Sequence, residues 1–188
     1  MKTLFPSFAP PETWRNPGQT KKLEGEAWRI LRLKIVQRDN YTCSYCGYKS
    51  EKYQIVDHID GNPENNTDEN LQVICQMCNL VKHAGQGCAV QGIVDLYEES
   101  KNTQTEVISL TRKLRDDGKS DSEIIKQLGL KRKVEFKMDR DYLNKLIGFV
   151  TSRQTEENDG MYNGWLAYHN RIVKLSQNQK LKVNKNGS

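Results

Sequence analysis

The chain has 188 residues, enough for one domain or two small ones, and its 36% hydrophobic content supports only a modest core. A formal net charge of +5 is mild, so the placement of basic residues says more about nucleic acid than their sum does. No stretch is long and apolar enough to cross a bilayer, and Met1-Lys2-Thr3-Leu4 does not begin a secretory signal, so the expectation is a cytoplasmic protein with reduced thiols and no membrane partner.

Pro6, Pro10, Pro11 and Pro17 favour an extended arm over residues 1–22, without internal hydrogen bonds. From Gly25 to Arg38, Trp28, Leu31, Ile35 and Val36 recur at helical spacing among Arg29, Arg32, Lys34 and Arg38. Asp39-Asn40 ends that helix. Two C-x-x-C pairs follow, Cys43/Cys46 and Cys75/Cys78. One such pair is often redox-active, but two separated by 28 residues predict a closed tetrathiolate Zn2+ site, with a disulfide framework as the weaker competitor. Cys88 is left over and reads as a small buried side chain.

Between the pairs, Tyr53-Gln54-Ile55-Val56 is a β-prone run entering Asp57-His58, and 61–66 is dense in turn formers. Leu71-Gln72-Val73-Ile74 is a second strand that runs into Cys75. A helix is expected from Asn79 to His83, ended by Gly85-Gln86-Gly87.

In the second half, 107–114 and 121–130 predict two short helices around the turn Asp117-Gly118-Lys119-Ser120. The stretch 118–130 resembles the first part of a helix-turn-helix module spanning 106–134. Lys131, Arg132 and Lys133 then stand where a recognition helix would begin and could meet phosphates. Against that, 134–138 alternates like a strand, and three short helices also pack this way in domains unrelated to DNA. Tyr142, Leu143, Leu146, Ile147 and Val150 form a helical face, as do Tyr162, Trp165, Leu166, Ile172 and Val173. His169 reads as structural. From Arg171 onward the charged residues are Arg171, Lys174, Lys180, Lys182 and Lys185, which suit either a solvated end or phosphate contacts.

Asn40-Tyr41-x-Cys43-x-x-Cys46-Gly47, Asp57-His58-Ile59, Asn70-Leu71-Gln72 and Cys75-x-x-Cys78-Asn79-x-x-Lys82 together resemble the HNH family of ββα-metal nucleases, over roughly Trp28 to Gly87. The resemblance implies a zinc-stapled nuclease core at 23–90; with the periodicity and charge of the rest, the expected fold is α+β, with a mainly helical DNA-recognition region at 91–175 and a basic disordered tail at 176–188. The family usually has histidine after the last cysteine. Asn79 there makes this a His-Asn-Asn variant, like homing endonucleases and the HNH domain of CRISPR effectors.

The implied activity is metal-dependent hydrolysis of DNA phosphodiesters, of restriction or homing type. His58 would be the general base, Asp57 and Asn79 the ligands of a catalytic Mg2+ or Mn2+, and Asn70 the clamp of the loop that positions His58. His83, one helical turn beyond Asn79, is an alternative ligand, though an exposed helix-end histidine is the favoured reading. Lys82 could meet a phosphate, and Asp60 reads as a turn residue with an accessory carboxylate role as the alternative. The implied partner is double-stranded DNA, and a homodimer is one way to cut both strands. The competing classes are a non-catalytic zinc-containing DNA-binding protein and a non-specific HNH nuclease.

Overall fold

The computed structural model describes residues 2–8, 23–86, 89 and 92–152. The expectations for Cys88, the 162–173 face, His169 and the basic tail lie outside these. Among the described residues no helix is long and apolar enough to cross a membrane.

Helix α1 spans Gly25–Arg38, and its inner face buries Ile35 and Val36. It ends in two successive left-handed residues, Asn40 (φ 50°) and Tyr41 (φ 53°). The Tyr41 amide donates back to the Val36 carbonyl at 2.8 Å, so an orphaned terminal carbonyl gains its partner. This reversal sends the chain directly into the first cysteine pair. Strands β1 (Gln54–His58) and β2 (Leu71–Cys75) form an antiparallel hairpin in which Asp57 faces Gln72 and His58 faces Leu71. Helix α2 (Gln76–Lys82) follows without a loop. It begins three residues earlier than expected, because Cys75 serves as the N-cap and Met77 and Cys78 already face the core.

β2 is buried along its whole length because both faces are covered. On one side Val56, Leu71 and Val73 pack on Ile35 and Val36 of α1. On the other, Ile74 and Cys75 join Leu80 and Val81 of α2. The result is a ββα unit with the cysteines at one end of its hairpin.

In the second half, among the described residues, a sheet joins the expected helices: β4 (Lys131–Val134), β3 (Val94–Glu99) and β5 (Ile147–Val150) make a three-stranded antiparallel sheet with β3 central. The helical face expected over 142–150 is a short helix α5 (Arg140–Leu143) followed by β5. Ile147 to Val150 is too short an apolar run for periodicity to separate helix from strand, and pairing with β3 decides it.

The helices α3 (Gln104–Asp116) and α4 (Asp121–Leu128) do form, each with a complete capping box, Thr103 with Glu106 and Ser120 with Glu123. Gly129 ends α4 at φ +65°, a left-handed turn that carries the chain away from a third helix. Lys131–Val134 is then a strand, so the recognition helix of a helix-turn-helix is absent from this segment.

The two halves share one core. Ile74, Leu80 and Val81 of the ββα unit form a single buried cluster with Val94, Leu96, Ile108, Leu143 and Val150. Gly148 permits the close approach of β5: a Cβ there would lie 3.2 Å from methyl carbons of Val81 and Val94.

Candidate metal centre and hairpin site

Cys43, Cys46, Cys75 and Cys78 converge so that their sulphurs all lie within 4.8 Å of one another. Cys46 Sγ and Cys75 Sγ are 3.7 Å apart. A tetrahedral Zn2+ with Zn–S bonds near 2.3 Å requires sulphurs separated by about 3.8 Å, so the cluster fits that ion. Hydrogen bonding from Cys46, Cys75 and Cys78 holds the Cys43 thiol far below its usual range, while hydrogen bonding to Cys43 and Cys46, together with burial, pushes Cys75 and Cys78 above theirs. The cluster therefore carries negative charge toward which a cation is drawn. The first knuckle is shaped by its backbone: the Cys43 amide donates to Tyr48 O at 2.9 Å and the Gly47 amide to Cys43 O at 3.0 Å.

The hairpin brings the sequence-predicted site residues to its other end. Asp57 is 6% exposed. Its Oδ2 accepts from Lys82 Nζ at 2.6 Å and from Gln72 Nε2 at 2.8 Å, and its Oδ1 lies 3.4 Å from His83 Nε2. Burial alone would raise the Asp57 carboxyl, but these three partners outweigh it and hold it below the usual carboxylate range. Lys82 also donates to the His58 carbonyl at 2.8 Å, so its ammonium is engaged inside the fold rather than offered to a phosphate. His83 is folded onto Asp57, not turned to solvent as expected, and its Nδ1 is buried without a hydrogen-bond partner. Asn79 sits one turn earlier on α2, half-buried, its carbonyl accepting from the His83 amide at 3.0 Å.

His58 points the other way, as adjacent residues of a strand must. Its ring stacks on Trp28 with centroids 6.0 Å apart and an interplanar angle of 13°. Its Nε2 lies 3.1 Å from Asn66 Oδ1; in that assignment Nε2 is the donor and Nδ1 is the nitrogen left to accept a proton. Two cavities flank the hairpin: His58 lines the first, and Lys82 and His83, the partners of buried Asp57, line the second. One, about 390 Å3, is lined by His58, Trp28, Pro63, Asn66 and the start of α1. The other, about 350 Å3, is lined by Lys82, His83, Tyr45, Asp60, Arg140 and part of the N-terminal arm. That arm is pinned there by Ser7, whose hydroxyl donates to Lys82 O at 2.5 Å and whose carbonyl accepts from the Gly85 amide at 3.0 Å.

Asn70 clamps the intervening loop. Its Nδ2 donates to Asp60 Oδ1 at 2.9 Å and Asn65 O at 2.8 Å, and its Oδ1 accepts from the Asp60 amide at 3.1 Å. Asp60 is consumed in the same turn, accepting from the Asn62 amide and Asn65 Nδ2, both at 2.8 Å.

Asp57 Oδ1 and His83 Nε2 are spaced widely enough for one divalent cation to lie between a carboxylate oxygen and an imidazole nitrogen. The Oδ2 side is filled by Lys82. Asp57 Oδ1 and His83 Nε2 are therefore the two donors here that could face a cation, and among the described residues the four cysteines are the group of three or more ligating side chains that converges.

Of the remaining predicted DNA contacts, Arg132 and Lys133 form ion pairs across the sheet while their side chains stay exposed. Arg132 pairs with Glu98 at 2.9 Å and Glu99 at 2.6 Å, and Lys133 with Asp95 at 2.8 Å. Lys131 lies exposed beside them in β4, opposite Glu99. Sequence reasoning missed Gln72 as a partner of Asp57, although the hairpin register that pairs the two was within reach once both strands were assigned.

Among known proteins, the model of the HNH endonuclease family matches residues 43–85. The chain is also similar to the Type 4 apparatus protein DotN of Legionella pneumophila, 34% identical over 106 residues, a match that covers 55% of this chain and 48% of that protein. The chain thus spans about half the length of that curated relative. A hairpin and helix framed by four converging cysteines, with Asp-His at the end of its first strand, agrees with the match of residues 43–85 to the HNH endonuclease family.

Proposed function

We propose that this protein is a metal-dependent endonuclease that hydrolyses DNA phosphodiester bonds. The observation that carries the reading is the way the hairpin holds His58. The Asn70 clamp fixes the loop, Asn66 and Trp28 fix the imidazole, and the ring faces a cavity open to substrate. In this reading Nδ1 of His58 takes the proton from the attacking water. A divalent cation at Asp57, helped by Asn79 or His83, would supply charge neutralisation for the phosphate. Zinc at the four cysteines fixes the hairpin ends, which the thin local core would not hold alone. Sequence-directed cutting of restriction or homing type needs a recognition surface, and the segment 131–134, a strand in which Arg132 and Lys133 are ion-paired, does not supply a recognition helix for it.

The test is plasmid DNA incubated with the zinc-loaded protein and Mg2+ or Mn2+. Nicked or linear product is expected, and His58→Ala should lose it while retaining zinc and DNA binding. Product formed by His58→Ala at the native rate would overturn the general-base assignment.

A second reading is favoured by the Lys82 ammonium lying on Asp57, where a catalytic cation would otherwise bind. In it the HNH frame is a non-catalytic scaffold, as suits similarity to a type 4 apparatus protein. The same assay decides, because that reading expects intact DNA with every divalent metal.

A further inference from the structure

Helix α3, outside the HNH match, sends Arg112 onto the cysteine cluster. Arg112 Nη2 lies 3.3 Å from Cys75 Sγ. The guanidinium also sits over the ring of Tyr48, 3.7 Å from its centroid. Tyr48 belongs to the first knuckle and Cys75 to the second, so one planar group touches both. Its face is held by the aromatic ring and its edge is aimed at a sulphur, an arrangement that a lysine cannot reproduce.

Four thiolates around Zn2+ leave a net charge of about −2, and Cys43, Cys75 and Cys78 are buried. Burying that charge without a counter-ion is costly. Among the described residues, Arg112 is the cationic side chain in contact with a sulphur of the cluster.

We propose that Arg112 is the outer-sphere counter-ion of the zinc centre, and that it couples metal occupancy to the seating of α3 on the knuckles. N–H donation to Cys75 withdraws charge from a thiolate that binds the metal. The metal in turn fixes the sulphur against which Arg112 docks. By linkage each event strengthens the other by the same factor. This holds whether or not the protein cleaves DNA.

The experiment uses the full chain, with zinc affinity measured by competition against a chromophoric chelator for the native protein, Arg112→Gln and Arg112→Lys. Loss of an outer-sphere partner weakens metal binding by about 10–100-fold, which is the expectation for Arg112→Gln, with Arg112→Lys in between. Substitution with Co2+ adds a spectroscopic readout. Without the guanidinium the sulphur-to-cobalt charge-transfer band should move to longer wavelength while the tetrahedral d–d bands persist. Zinc affinity within twofold of native together with a superimposable cobalt spectrum would overturn the proposal. If Arg112→Gln folds poorly, recovery of its secondary structure at high zinc supports the coupling, and failure to recover at saturating zinc counts against it.

Discussion

Replacing Lys82 by methionine keeps the aliphatic stem and removes the ammonium, which leaves the Asp57 carboxylate buried with only Gln72 and His83 beside it. The side chains of Asp57 and Lys82 are 5% and 14% exposed, so this is an interior ion pair and solvent screens it little. Breaking such a pair from one side costs about 3–5 kcal/mol. For a protein of this size each kcal/mol lowers Tm by about 2–4 °C, so a fall of roughly 6–20 °C is expected. The assay is thermal or urea unfolding of the zinc-loaded protein without other divalent metal, with Asp57→Asn and the double variant completing a cycle. The double variant should recover part of the loss, since no unpaired charge remains. Lys82→Met should also take up Mg2+ or Mn2+ more tightly at Asp57, because the competing cation is gone. A Lys82→Met protein within 1 kcal/mol of native, with no coupling in the cycle, would refute the claim that the pair is closed in solution.

Because Asp57 is held below the usual carboxylate range, its contribution is full above the unfolded carboxylate value of about 3.9 and is lost as pH falls through the lower folded one. Asp57→Asn should therefore flatten the acid limb of a Tm-against-pH curve, and parallel limbs for the two proteins would contradict it. Asn70→Ala removes three hydrogen bonds that hold residues 60–65. At about 1 kcal/mol each, a loss of about 2–3 kcal/mol is expected, with faster amide exchange in that loop and not in α3. Gly148→Ala would press a Cβ against Val81 and Val94 and should cost about 1–3 kcal/mol, read as a lower urea midpoint at unchanged m-value. Cys78→Ser should release zinc and broaden the unfolding transition, because that thiol lies at 0% exposure inside the largest core cluster. Retention of one equivalent of zinc by Cys78→Ser would contradict the four-thiolate assignment.

The cysteine pairs and the hairpin were legible in the sequence because each rests on local pattern, whereas the Asn70 clamp came only from the resemblance to the HNH family. C-x-x-C makes a knuckle wherever it occurs, alternation makes a strand, and turn formers between two strands make a hairpin. The sequence likewise determined that Asp57 and His58 point apart, since neighbours on a strand always do. Tertiary structure decided what each then meets. Where α2 begins sets which of its residues face Asp57, and a start at Gln76 turns Lys82 and His83 toward it. The four residues of β5 became a strand through pairing with β3, and Lys131 to Val134 became a strand in place of a recognition helix for the same reason. Arg112 carries no signal in the sequence at all. It lies thirty-seven positions beyond Cys75, and only the packing of α3 against the knuckles, a contact between distant parts of the chain, brings its charge to the metal centre.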